Sequence, residues 1–132
     1  MDDNLIKNVK NDQFAKFIGI RLIEVNDGFA ITELFLNESH MNGVNRVQGG
    51  VIFTLADYAF AAASNSGGCT TVGLNVNISY YKAPVGKLIR AIAKEINVQN
   101  KISAYNVEVV DEDGSLVASF NGLGYRKTVK QV

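Results

Sequence analysis

The longest apolar run of the chain, residues 49–66, reads GGVIFTLADYAFAAASNS, two glycines followed by a hydrophobic stretch with one acid, Asp57, near its middle. As a helix it would be about 27 Å long, and its alanine-rich second half favours that state. It is too short and too often interrupted by polar residues to span a bilayer. A helix apolar on nearly every side has to be wrapped by other elements, and the rest of the chain reads as strands. Residues 20–25 and 29–36 are β-rich runs separated by Asn26, Asp27 and Gly28, a hairpin signal. Residues 70–81 alternate over Val72, Leu74, Val76 and Ile78, which predicts a half-buried strand. Past Pro84, a long β-like run at 87–99 turns near 99–101 into a partner at 102–112, and a turn at 111–114 leads to a last strand at 115–126. Leu5, Val9, Phe14, Phe17 and Ile18 recur at loosely helical spacing, predicting one short amphipathic helix over residues 2–18 that covers an apolar surface. The pattern is α+β: a helix, a hairpin, a long apolar helix, then a meander of at least three more strands.

Composition narrows the partners. A chain of 132 residues is expected to form a single domain over 1–132. Thirteen lysines and arginines balance thirteen acids, which removes the electrostatic case for nucleic-acid binding. The single Cys69 excludes an internal disulfide, and the N-terminus lacks the basic start and long apolar core of a signal peptide, so a cytoplasmic protein is expected. One cysteine and one histidine cannot supply the usual thiolate and imidazole ligands of zinc, so no built-in metal is expected.

Candidate chemistry gathers where the polar loop 37–48, NESHMNGVNRVQ, meets the apolar run. Gly49 and Gly50 would present unpaired backbone N–H groups at a helix N-terminus, an end that favours a developing oxyanion; equally, the pair can serve only a tight turn or close packing. Asp57, among Leu55, Ala56, Tyr58 and Ala59, is a candidate base or nucleophile; against that, Thr54, Asp57, Ala61 and Ser64 share one helical face, which can be a plain solvated stripe. Eight residues place Gly49 and Asp57 about 12 Å apart along the axis, too far to act on one carbonyl within a chain. Two such helices antiparallel across a two-fold axis would bring Gly49 of one chain to Asp57 of the other, so an obligate homodimer with two composite sites is expected.

NGVNRVQGG at 42–50, followed by FTLADYAFAAA at 53–63, NISYYKAP at 77–84 and GKLIRA at 86–91, resembles the signature of phenylacetate-pathway-type acyl-CoA thioesterases. These belong to the 4-hydroxybenzoyl-CoA thioesterase superfamily, whose hotdog fold wraps an antiparallel sheet around a long central helix. The resemblance implies that Asn42 and Gln48 shape the thioester site, that the Gly49 amide polarises the carbonyl, and that Asp57 of the opposite subunit acts on it. It also implies a homodimer or a tetramer of two dimers, with no cofactor beyond the coenzyme A of the substrate. Two positions depart from the pattern. Gln48 stands where relatives commonly carry His and cannot titrate near neutral pH. Gly73 falls where they often carry a water-positioning Ser or Thr, leaving Thr70 and Thr71 as the nearest hydroxyls.

Lys82, Lys87, Arg90, Lys94 and Lys101 make a local positive stretch that can meet coenzyme A phosphates, or simply guard a solvated strand. His40, outside the family's His position, is expected to be a surface or loop-packing histidine, and Cys69 is expected to be structural. Phe53, Tyr58 and Phe60 can line an aromatic acyl pocket or fill the core. The leading reading is a hydrolase of aryl- or short/medium-chain acyl-CoA. A hydratase on the same fold would need a histidine paired with an acid, and a non-catalytic acyl-CoA sensor would suit the Gln48 replacement.

Overall fold

The computed structural model describes residues 3–127. The N-terminal segment forms two helices where one was expected, α1 (Asp3–Lys10) and α2 (Gln13–Ile18), and Asp2 lies outside the described residues. The break follows from Asp12, whose carboxylate caps α2 by accepting the Ala15 N–H at 3.0 Å. Gly19 closes α2 at φ 97°, a left-handed conformation that suits glycine. Ile6 and Ala15 are buried, but Phe14 and Phe17 of the expected apolar face point to solvent, Phe17 being 84% exposed.

The strands are β1 (Arg21–Asn26), β2 (Phe29–Phe35), β3 (Thr70–Tyr80), β4 (Leu88–Val98), β5 (Ile102–Asp111) and β6 (Leu116–Lys127), in one antiparallel sheet of order β1-β2-β4-β5-β6-β3. The β1–β2 hairpin turns at Gly28, φ 72°. Between β2 and β3 runs α3 (Gly49–Ser64), so β3 pairs with β6 at the far edge while β4, β5 and β6 form the meander.

Across the inner face of the sheet lies α3. Leu55, Ala56, Ala59 and Ala62 are fully buried with Val107, Val109 and Phe120 of the sheet. Alanines let the helix approach closely, and the Thr32 hydroxyl donates to the Leu55 carbonyl at 2.9 Å, tying β2 to the helix. Phe60 sits over a trough of small residues: a Cβ on Gly122 would come within 2.7 Å of its ring. Phe60 and Phe53 pack on Phe120, and Phe60 also meets Tyr105 edge-on, while Tyr58 is buried. These three aromatic rings are parts of the core.

The alternation of β3 is interrupted by a bulge between Gly73 and Asn75. One extra residue reverses the pleat, so Val76 and Ile78 pack on the core while Val72 and Leu74 are exposed. The four apolar positions that period-two spacing puts on one face are therefore divided between two.

Candidate active site

The loop that delivers the chain into α3 is held by its own polar side chains. Asn42 Oδ1 accepts the N–H groups of Val44 and Arg46, both at 3.0 Å, closing a small turn in which Asn45 adopts φ 61°. His40 is buried; its Nδ1 accepts the Asn37 N–H at 3.0 Å, which leaves Nε2 to donate to the Ile18 carbonyl at 2.7 Å. Of the two roles expected of it, this is loop packing, and its burial excludes the surface one. The His40 carbonyl accepts the Gln48 N–H at 2.9 Å and so aims the loop at the helix.

Gln48 is the N-cap of α3. Its side-chain oxygen accepts the Gly50 N–H at 3.3 Å, and its carbonyl accepts the Val51 N–H at 2.9 Å. Of the first three helical donors, the Gly49 N–H is the one with no acceptor among the described residues. It lies at the positive end of the helix dipole, where an oxyanion is favoured. Tyr80, at the end of β3, donates its hydroxyl to the Gly49 carbonyl at 3.0 Å, and its ring covers the Gly49 Cα so closely that an added Cβ would lie 3.3 Å away. Burial raises the Tyr80 phenol above its ordinary value, which keeps it a donor.

Two turns further on, Asp57 is half-buried on the stripe formed by Gly50, Thr54, Asp57 and Ala61, the side of α3 that the sheet leaves uncovered. Ser64, expected on the same stripe, is buried and donates to the Ala61 carbonyl. Burial raises the Asp57 carboxyl above its ordinary value, with a smaller contribution from the negative charge of Asp12. No hydrogen-bond or ion-pair partner engages Asp57 among the described residues.

The remaining candidates are dispersed. Gln48, Gly49 and Gly50 stand together at the start of α3, while Asn42 lies in the preceding loop with its side-chain oxygen engaged by Val44 and Arg46. Thr71 and Gly73 lie at the other end of the helix, Thr71 donating its N–H to Asn65 Oδ1 and its hydroxyl to the Cys69 carbonyl, Gly73 facing Phe60. Cys69 Sγ lies 3.2 Å from the Lys127 carbonyl, a structural thiol. Lys82 bonds the fully buried carboxylate of Asp111 at 2.8 Å. Arg90 and Arg21 flank the buried Glu33 in neighbouring strands, Arg90 at 2.6 Å, and the Arg90 bond is the largest cause holding the Glu33 carboxyl below its ordinary value. Lys87 has no carboxylate partner among the described residues and lines a cleft of about 450 Å³ with Leu36, Asn37, Met41 and Asn45. This cleft adjoins one of about 340 Å³ bounded by Arg46, Val47 and Pro84.

Sequence reasoning passed over Tyr80, whose 31-residue separation from Gly49 gave no local signal. The ion pairs of Lys82 and Arg90 were equally hidden, since their acids come from other strands. No cluster of three or more potential metal-ligating side chains occurs among the described residues, and none of their helices is long and apolar enough to cross a membrane.

Comparison with known proteins agrees with this architecture. The profile of the thioesterase superfamily matches residues 45–118. Over 118 residues the chain is 40% identical to a putative esterase of Archaeoglobus fulgidus, covering 89% of this chain and 77% of that protein. It is 32% identical to the acyl-coenzyme A thioesterase PaaI of Escherichia coli, covering 89% of this chain and 84% of that one. The solved structure of the E. coli PaaI protein from the phenylacetic acid degradation operon superposes with a TM-score of 0.89 at 30% identity, covering 96% of this chain and 92% of the other. On a profile that spans more than half of its length, and on relatives of this identity and coverage, the chain belongs to the thioesterase superfamily with the hotdog fold, and within it to the PaaI type.

Proposed function

We propose that the protein hydrolyses an aryl- or short/medium-chain acyl-CoA to the free acid and coenzyme A, in composite sites of a homodimer. The observation that carries this reading is the pairing of two unsatisfied groups on one helix: a Gly49 N–H without an acceptor and an Asp57 carboxylate without a donor among the described residues. Both lie toward the side of α3 that the protomer leaves open, about 12 Å apart along the axis. A second copy laid antiparallel on that side would cover the stripe of Gly50, Thr54, Asp57 and Ala61 and bring Asp57 of the partner subunit to each Gly49. A tetramer of two such dimers is compatible with this arrangement.

In such a site the Gly49 N–H donates a hydrogen bond to the thioester carbonyl oxygen, which takes on negative charge as the carbon becomes tetrahedral. Asp57 either takes a proton from the attacking water, so that loss of the thiolate gives the free acid directly, or adds to the carbonyl and expels the thiolate to form an anhydride that water then hydrolyses to the free acid and Asp57. A thiol with pKa near 8.5 is a good leaving group, so no imidazole is needed, and Gln48 can serve as a cap. Burial of Asp57 strengthens its basicity. Asn42 contributes by holding the loop in shape. For the phosphates of coenzyme A, Lys87 is the cation of the predicted set left facing a cleft, with Arg46 on the adjoining wall, whereas Lys82 and Arg90 are engaged by buried acids. No cofactor beyond coenzyme A is invoked, and a cytoplasmic location fits a substrate of this kind.

The test is thiol release from a panel of aryl- and alkyl-acyl-CoA esters, with Asp57→Ala in parallel. Hydrolysis by the wild type, lost in a folded and dimeric Asp57→Ala, supports the reading. Binding without release from any ester would favour an acyl-CoA sensor instead.

A further inference from the structure

We infer that Tyr80 is a positioning residue for the Gly49 oxyanion donor, holding the first turn of α3 through its hydroxyl and walling the niche with its ring. The inference rests on the proposed thioester chemistry and gives a role to a residue that the motif stretch 77–84 contains but to which the resemblance assigns none.

Gln48 takes the Gly50 N–H and the Val51 N–H, so the turn is fastened on the side of the following residues. The Gln48 carbonyl, which shares its amide plane with the Gly49 N–H, is held by the Val51 N–H at 2.9 Å, but the glycine Cα beyond that plane has no side chain to restrain it. Tyr80 supplies the restraint from β3. Its hydroxyl donates to the Gly49 carbonyl at 3.0 Å, and its ring packs on the Cα so closely that a Cβ would meet it at 3.3 Å. Tyr80 thus holds the amide plane and the Cα on the far side of Gly49 while the Gln48 carbonyl holds the near side, and the plane that carries the Gly49 N–H is steadied between them.

The ring has a second consequence. Tyr80 is 49% exposed, so part of it is open beside the same helix end. An aromatic wall next to the donor displaces water, and a hydrogen bond to an oxyanion gains strength where water is excluded. Tyr80 also ends β3 just before the chain enters the connection containing Lys82, Pro84 and Lys87, so the same residue ties the donor to the cleft-bearing segment. Its ring also leaves little room at 49, where an added Cβ at 3.3 Å requires the exposed ring to give by a few tenths of an ångström.

A double-mutant cycle tests the inference. Tyr80→Phe keeps the ring and removes the hydroxyl; it is expected to lower kcat about threefold to tenfold with KM within twofold and little change in melting temperature. Tyr80→Leu removes the ring as well and should lower kcat further. In a Gly49→Pro background, which has no N–H to position, Tyr80→Phe should cost nothing more, because the two changes act on one interaction. A wild-type kcat in Tyr80→Phe, or a loss of equal size in both backgrounds, overturns the inference.

Failure of the hydrolysis reading is told apart by nuclear magnetic resonance. The Gly49 amide is followed while an acyl-CoA ketone analogue, with methylene in place of the thioester sulfur, is added. A Gly49 response in the wild type that is lost in Tyr80→Phe upholds the positioning role even if no ester is hydrolysed. A Gly49 amide indifferent to the analogue in the wild type overturns it.

Discussion

Replacing Gly49 by proline removes one atom from the proposed chemistry, the hydrogen on the Gly49 nitrogen, and little else. Position 49 is the first residue of α3, where proline is well tolerated because that N–H has no helical partner to lose. The preceding Gln48 has φ −63° and ψ 131°, the extended conformation that a residue before proline requires. The Gly49 N–H has no acceptor among the described residues, so no hydrogen bond of the protomer is broken. The ring carbons of proline meet Tyr80, where a Cβ would lie 3.3 Å from the phenol ring, a contact relieved by a shift of a few tenths of an ångström in an exposed side chain. Stability should therefore change by less than about 1 kcal/mol, as for surface substitutions away from buried features. Catalysis should suffer far more, because one oxyanion donor is worth about 3 kcal/mol, a fall in kcat of roughly 100-fold or more. The assay is steady-state thiol release alongside thermal unfolding. A kcat within threefold of wild type in a folded Gly49→Pro protein would refute the role given to this amide.

Three further outcomes are expected. Asp111, fully buried, takes the Lys82 ammonium at 2.8 Å and the N–H groups of Val85, Asp113 and Ser115, and these bonds hold its carboxyl down to about 2. A lowered carboxyl stabilises the fold above its ordinary pKa near 4 and loses that contribution as pH falls toward 2, so Asp111→Asn should cost about 2–4 kcal/mol in urea unfolding at pH 7 and progressively less below pH 5; a pH-independent difference would contradict this. Gly122→Ala drives a methyl into Phe60, which is already confined by Phe120 and Tyr105, and overpacking of about 1–3 kcal/mol should appear as a lower melting temperature; an unchanged one would mean that the trough can widen. Lys87→Glu should raise KM for acyl-CoA more than it lowers kcat, whereas Lys82→Ala should chiefly lower stability; unchanged kinetics in Lys87→Glu would remove it from the coenzyme A site.

Local chemistry made much of this fold legible. Asn26, Asp27 and Gly28 announced the first hairpin, two glycines opened α3, and Asn65 closed it, because turns and caps are set by the residues that form them. The motif marked the loop and helix start in which Gln48 caps α3 and Asn42 braces the preceding turn. What could not be read was set by residues distant in the chain or by a single added residue. One bulge at Gly73 divided an alternating run between two faces. Asp12 broke an apparent single helix by offering a cap. Lys82 and Arg90, which read as free cations, are neutralised by Asp111 and Glu33, and no spacing rule connects residues 57 positions apart. Tyr80 belongs with these, being joined to Gly49 only by the fold.

Complementation between two inactive chains addresses the central claim most directly. Asp57→Ala and Gly49→Pro subunits, each inactive alone, are unfolded together, refolded at equal amounts, and assayed for acyl-CoA hydrolysis. If each site takes Gly49 from one subunit and Asp57 from the other, every mixed dimer carries one intact site, and random pairing should restore about a quarter of wild-type activity. Activity that stays at the level of the separate variants, in a sample where mixed dimers are demonstrated, would contradict the composite site.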